Sequence, residues 1–275
     1  MTVSQERQRI LTGFGRRLGA AWQMPKIIDS IADDELPCDR PEAYVVQDEM
    51  AAFINQPLSG WKVGATSARM RELDGHDDVI PGRIFQSVTW QGNRLTLPAS
   101  RFPDARVETE FAFRLKGFAF RLKGPVPLRD TAWSADELTP MATLHPAVEI
   151  IGNRHALVDA PASVRSLMTI ADNGGGIGFV FGDPIEDWDR IDFQNHHISL
   201  KVDLGAEAEN FLGEMRCVPI QAVADLVNHL ARRGIALRGG DFISTGAATV
   251  PQSIEKGSHV IAGFGVLGEI ELNFE

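Results

Sequence analysis

Two cysteines among 275 residues, Cys38 and Cys217, are too few and too far apart for a disulfide framework or a thiolate metal site. Basic residues are in deficit. With 27 Lys and Arg against 37 Asp and Glu, the formal net charge is −10, which argues against a partner with a phosphate backbone. No stretch approaches the roughly 20 consecutive apolar residues that span a bilayer. The N-terminal run MTVSQERQRILTGFGRRLG scatters charges where a secretory leader has an apolar core, so no signal peptide is read there. The simplest compartment is the cytoplasm. What remains is a composition ordinary for a soluble globular protein, long enough for one large domain or for a body with an accessory region.

Residues 4–22 carry Ile10, Leu11, Phe14 and Leu18 at helical spacing, with Arg and Gln opposite. Pro37 and Pro41 interrupt the pattern, and residues 42–55 resume it, ending at Gln56-Pro57. After Gly60 the character changes. Trp61-Lys62-Val63-Gly64 reads as a short strand, ATSARMREL as a helical turn, GHDDVIPG as a loop, and Ile84-Phe85 as the start of another strand. From Ser87 onward the chain reads mostly as β, with SVTW, NRLTLP, VETEFAFRL, HPAVEII, ISLKVDL and HVIAGFGVLGEIELNF as the strands. A capping-box pattern at Ser134–Glu137 predicts a short helix over 135–142, Ser163 is a candidate cap for a turn through Leu167, and a clearer helix covers 220–233 before Gly234. FAFRLKG occurs twice in tandem, at 111–117 and 118–124, and reads as a local duplication in a tolerant connection or as a hairpin.

In Val107-Glu108-Thr109-Glu110-Phe111-Ala112-Phe113, a strand period of two points Glu108 and Glu110 to one face. Two adjacent like charges persist if they are solvated, share a proton or hold a cation. His145-Pro146-Ala147-Val148-Glu149-Ile150-Ile151 adds a third carboxylate among apolar neighbours, where an unpaired charge costs several kcal/mol. Either Glu149 has a cationic partner, for which Arg154 or Arg106 would serve, or the three carboxylates form an oxygen site suited to Mg²⁺ or Mn²⁺. His145 lies on the Glu149 face but about 13 Å along the strand, which suits a place at the rim or a buried, hydrogen-bonded histidine better than direct ligation.

Together, GWKVGATS (60–67), GRIF (82–85), VETEFAF (107–113), HPAVEI (145–150), ADN (171–173), GDFISTGAATVP (240–251) and KGSHVIAGFGVLGEIELNF (256–274) resemble the fumarylacetoacetate hydrolase superfamily. The KVG-x-TS block resembles its branch of 2-keto-4-pentenoate hydratases and 4-oxalocrotonate decarboxylases. The resemblance runs from about residue 58 to the end. It implies an α+β chain with an N-terminal helical region (1–58) and a catalytic body (59–275) of mixed β-roll type, assembled as a homo-oligomer. It also implies Glu108, Glu110 and Glu149 as ligands of Mg²⁺ or Mn²⁺. A 2-oxo acid offers a carboxylate oxygen and an adjacent keto or enol oxygen to such a cation, which stabilises negative charge there.

Lys62 matches the lysine of the family's KVG block. Such a residue either has a depressed pKa or keeps its charge to anchor a carboxylate, and on an ordinary strand it would be a snorkelling surface Lys. His76, with Asp77 or Asp78, is a candidate base by analogy with the mobile His/acid pair of related hydrolases. The hydratases place an Asp two residues before the final Gly of this loop, where this chain has Ile80. Thr245 and Gly246 match the family's TG and suit a grip on a substrate carboxylate, although a turn would use the same residues. Gly174-Gly175-Gly176 lacks the Lys-Ser/Thr ending of a phosphate loop and reads as a hinge or tight packing.

The resemblance thus implies a metal-dependent hydratase acting on a 2-hydroxy-2,4-dienoate in aromatic catabolism. The alternatives are a decarboxylase of an oxalocrotonate-like diacid, an acylpyruvate C–C hydrolase, and a non-catalytic subunit bound to a related hydratase or decarboxylase.

Overall fold

A computed structural model describes residues 4–116, 126–157 and 159–275. The second FAFRLKG copy lies outside the described residues, so neither reading of the duplication is tested. Helix α1 (Gln5–Gln23) begins where the Ser4 hydroxyl accepts the Arg7 N–H, and buries Leu11, Phe14, Leu18 and Trp22. Helix α2 (Arg40–Ile54) is capped by Asp39, carries Pro41 in its first turn and ends at Asn55 in the left-handed region. The two helices pack together, and their core continues into Ile80, Phe85, Met168 and Ile170. The helical region is therefore built onto the body.

The body opens with β1 (Leu58–Gly64), α3 (Ala68–Asp74) and β2 (Ile80–Phe85). Strand β2 ends at Ile84-Phe85, where the sequence reading had it begin: Val79 and Ile80 are already buried, and Ile80 pairs with Gly64. Next come β3 (Thr89–Gln91), β4 (Arg94–Leu97), β5 (Arg106–Leu115), α4 (Ala135–Leu138) and β6 (Ala142–Ile151). Helix α5 (Ala162–Ala171) starts after Pro161, so Ser163 lies inside it and caps nothing. The remainder is β7 (Gly176–Phe181), β8 (Ser199–Val202), α6 (Pro219–Arg232), β9 (Phe242–Ala247), β10 (Gln252–Ser253), β11 (His259–Gly263) and β12 (Glu269–Phe274).

Seven strands form a mixed sheet in the order β2-β1-β9-β5-β6-β7-β3, with β10 added beside β5. A smaller sheet has the order β4-β12-β11-β8. Sequence reading missed β7 because two glycines weaken its strand signal, and took the TG of β9 for a candidate turn. Strands β5 and β6 are antiparallel in unbroken register from Arg106↔Ile151 to Leu115↔Ala142. Val107, Phe111, Phe113 and Leu115 of β5 pack with Leu144, Val148 and Ile150 of β6 in the large core. Burying that face sets the register, because a one-residue slip would turn every apolar side chain outward. The opposite face then necessarily carries Arg106, Glu108, Glu110 and Ala112, across from Ile151, Glu149, Ala147 and His145. The chain is α+β, with a helical N-terminal region followed by a mixed β body.

Candidate metal centre

Glu108 and Glu149 are register partners on β5 and β6, and Glu110 follows two residues along the same face. Their relative exposures are 7%, 0% and 0%. One oxygen from each of the three lies within 4.8 Å of the others. Glu110 Oε1 and both Glu149 oxygens are buried without a hydrogen-bond partner. Ser244 of β9 donates to the other oxygen of Glu110. Burial, then the charge of Glu110, pushes the Glu108 carboxyl up to about 8. Burial also raises Glu149 well above the ordinary carboxylate range, against the pull of Lys62.

Lys62 of β1 is the cationic partner of Glu149, at 3.3 Å, rather than Arg154 or Arg106. Arg154 is committed to Asp172 at 2.5 Å. The Lys62 ammonium also donates to the Gly174 carbonyl at 2.9 Å. Burial disfavours its charge, but Glu149, Glu110 and Glu108 outweigh that and raise its pKa, so of the two states read from sequence it takes the charged one. Three carboxylates and one ammonium leave two negative charges uncompensated when all are ionised. That deficit and the orphaned oxygens fit a hard divalent cation. The glycine run is tight packing: a Cβ on Gly176 would lie 2.6 Å from Glu149 Oε1, and one on Gly174 would lie 2.9 Å from Lys62 Cδ.

Two cavities meet at Lys62, Gly64, Ala65 and Glu108. The smaller, 140 Å³, reaches Glu110 and is walled by Thr66, Met70, Phe211, Met215, Cys217 and Gly246. The larger, 420 Å³, runs past His76, Ile80 and Arg106 to His155 and Arg165. His76 thus reaches the cavity, with Nδ1 2.5 Å from the Ser166 hydroxyl. Asp78 does not; its carboxylate is held by the Val79 N–H, His229 at 3.0 Å and Arg232 at 3.2 Å. Asp77 is exposed and paired with Arg40. Ile80, where the resemblance expects an acid, presents an apolar wall.

Gly246 lines the small cavity, but the Thr245 hydroxyl is buried and donates to the Phe111 carbonyl at 2.5 Å, fixing β9 against β5. His145 is a buried, hydrogen-bonded histidine, 2.8 Å from the Gly182 carbonyl and edge-on to Phe242. Sequence reading missed Ser244, Thr66, Cys217 and Arg165. Cys217 and Arg165 reach the site through the crossing of distant segments, a signal no local period carries, whereas Thr66 and Ser244 lie within the quoted motifs beside residues that were singled out.

No family model matches the chain. It is 30% identical to a 4-oxalocrotonate decarboxylase of Pseudomonas sp, over 96% of this chain and 97% of that protein. It is 27% identical to the 2-oxo-hept-4-ene-1,7-dioate hydratase of Escherichia coli, over 96% and 97%. A 2-keto-4-pentenoate hydratase of Paraburkholderia xenovorans is 26% identical, over 93% and 91%. Among solved structures, the 4-oxalocrotonate decarboxylase from Pseudomonas putida G7 complexed with magnesium and adipate superposes with a TM-score of 0.80 at 20% identity, covering 100% of this chain and 99% of that one. Fumarylpyruvate hydrolase from Pseudomonas aeruginosa, in complex with Mn²⁺ and pyruvate, gives 0.51 at 18% identity over 80% and 93%. The chain belongs to the 2-keto-4-pentenoate hydratase and 4-oxalocrotonate decarboxylase branch of the fumarylacetoacetate hydrolase family, and has its fold.

Proposed function

We propose that the chain is a divalent-metal-dependent hydro-lyase. It adds water to a 2-hydroxy-2,4-dienoate of the 2-keto-4-pentenoate type, giving a 4-hydroxy-2-oxo acid in the breakdown of aromatic compounds. The observation that carries this reading is the trio of buried carboxylates with orphaned oxygens beside one charged lysine. The hydratase names among the relatives support it. Glu108, Glu110 and Glu149 would hold Mg²⁺ or Mn²⁺, in keeping with the magnesium, calcium and manganese of the solved neighbours.

When bound, the cation supplies Lewis acidity, which eases proton gain and loss beside a 2-oxo group. The protein's own groups do the rest. Lys62, tied to Glu149 and the Gly174 carbonyl, keeps its charge and directs an N–H toward the substrate's anionic oxygen. His76, at the cavity edge, is the group we assign to carry the proton, relayed through Ser166. The Gly246 backbone borders the substrate on the other side, with Thr245 holding that strand in place. Asp78, tied to His229 and Arg232, takes no part in this assignment. We further assign the chain to the cytoplasm as a homo-oligomer that associates with a related decarboxylase or hydratase.

The test is a metal-supplemented assay over dienoates and acylpyruvates, following water incorporation and CO₂. Water addition without CO₂ release, abolished by chelator, is expected. Intact cation binding in Glu108→Ala and Glu110→Ala would sink the site assignment. Decarboxylation is the second reading, favoured by the 30% identical relative. CO₂ release from a six-carbon diacid would establish it instead.

A further inference from the structure

A third cavity, of 30 Å³, lies between the end of helix α1 and the residues that follow β6. Gly152 and Asn153 line both it and the large cavity beside the carboxylates. Lys26, Arg101 and Arg154 line it too, and among the described residues it has no acid. In a chain of net charge −10, three cations around one small hollow run against the composition. Neither the Lys26 ammonium nor the Arg101 guanidinium has a hydrogen bond or an ion pair with any described residue. Arg154 is 4% exposed and gives Nε and Nη2 to the carboxylate and the carbonyl of Asp172, at 2.5 and 2.8 Å. Its Nη1 is buried without a partner. Trp22, on the wall from α1, adds an indole N–H that makes no hydrogen bond to a described residue.

We propose that this cavity is a binding site for a divalent oxyanion of the phosphate class, held by Lys26, Arg101 and the unpartnered Nη1 of Arg154. Charge sets the class. Three cations line the cavity and Asp172 answers only Arg154, which leaves two positive charges for a ligand. Hydrogen bonding agrees, because the unspent groups of Lys26, Arg101, Arg154 and Trp22 are all donors and an oxyanion offers only acceptors. Guanidinium and phosphate pair through charge-assisted hydrogen bonds, and a buried donor left without an acceptor carries a cost that such a ligand removes. Size sets the limit. The 30 Å³ exceeds the roughly 10–15 Å³ that one water needs, and suits a single phosphate group better than a nucleotide. Lys26 and Asn153 are exposed, so the walls run out to solvent and an ester chain on the phosphate has a way out. The site stands apart from the metal-dependent reading, since none of Glu108, Glu110 and Glu149 lines it.

The test is calorimetry of the full chain at about pH 8, where phosphate is a dianion. The probes are inorganic phosphate, methyl phosphate and acetate at matched ionic strength. Saturable phosphate binding is expected, the same with Mg²⁺ as in chelator, with acetate weaker by about tenfold or more. Arg101→Gln should weaken phosphate by about tenfold or more, as the loss of one charge-assisted contact does, and adding Lys26→Gln should weaken it further. Arg106→Gln, in the large cavity, should leave the affinity unchanged. Arg154 is kept, because its removal would strand the buried Asp172 carboxylate. Methyl phosphate bound as well as phosphate would make phosphate esters the ligands, and its exclusion would make free phosphate the ligand. Phosphate binding that does not saturate, that acetate equals, that needs Mg²⁺, that survives Arg101→Gln unchanged, or that Arg106→Gln weakens as much would overturn the site.

Discussion

Glu108 and Glu149 face one another directly across two antiparallel strands, with carboxylates on the same buried side of the sheet. Their pairing sets two carboxylates against each other at a buried position. Such an arrangement is costly unless protons or a cation relieve it. Glu110 enlarges the problem, and Lys62 answers part of it.

Removing one of these charges should therefore have opposite effects on binding and on the metal-free fold. Glu110→Gln is expected to weaken Mg²⁺ binding by more than tenfold in calorimetry. In chelator it should raise stability by about 1 kcal/mol, because one buried repulsion is gone. A destabilised metal-free variant would show that the carboxylates are not in conflict.

The same conflict sets a pH dependence. The Glu108 carboxyl, ordinarily near 4.5, titrates at about 8 in the fold, through burial first and Glu110 second. A carboxyl raised in this way contributes stability that is complete below about 4.5 and is lost as pH rises through about 8. Urea denaturation in chelator should show stability falling across that window. Saturating Mg²⁺ should flatten the fall, and cation binding at neutral pH should release a proton, seen as a buffer-dependent binding enthalpy. Rising metal-free stability over the same window would contradict this.

Lys62→Met tests the other side of the balance. Without the ammonium, Glu149 loses its partner, and the metal-free protein should lose about 3 kcal/mol. Saturating Mg²⁺ should recover much of that loss while turnover stays low. Recovery of activity along with stability would limit Lys62 to holding the fold.

Gly176→Ala is a steric probe of Glu149. The backbone there is ordinary, but the new Cβ would press on Glu149 Oε1 at 2.6 Å and on the Phe179 ring at 2.5 Å. Mg²⁺ affinity should drop at least about tenfold, with a stability loss of about 1–3 kcal/mol from overpacking. Unchanged affinity would mean that Glu149 can move without consequence.

Away from the site, Arg7 clamps Glu42 through two guanidinium contacts, and that hydrogen bonding holds the Glu42 carboxyl down near 2 despite burial. A carboxyl depressed in this way stabilises the fold above about 4.5 and loses that contribution as pH falls toward about 2. Glu42→Gln should cost about 1–3 kcal/mol at neutral pH. Its acid denaturation profile should be flatter than that of the unaltered chain.

The two N-terminal helices were legible in the chain from the helical spacing of their apolar residues, although Pro41, read there as an interruption, lies in the first turn of the second helix behind the Asp39 cap. That Glu108 and Glu110 share a face was equally legible, since it follows from a strand's period of two. Which residues meet depends on packing between distant segments. The register that sets Glu149 against Glu108 comes from packing Val107, Phe111 and Phe113 against Leu144, Val148 and Ile150, on the far side of the same strands. The choice of Lys62 over Arg154 as the counter-charge depends on β1 lying beside β9 and on Asp172 capturing Arg154. Asp78 and His76 are two residues apart, yet one turns to helix α6 and the other to the cavity. Local periodicity governs which way a side chain points from its own strand. The charge it answers, and the cavity it lines, depend on chain segments brought together only when the core is buried.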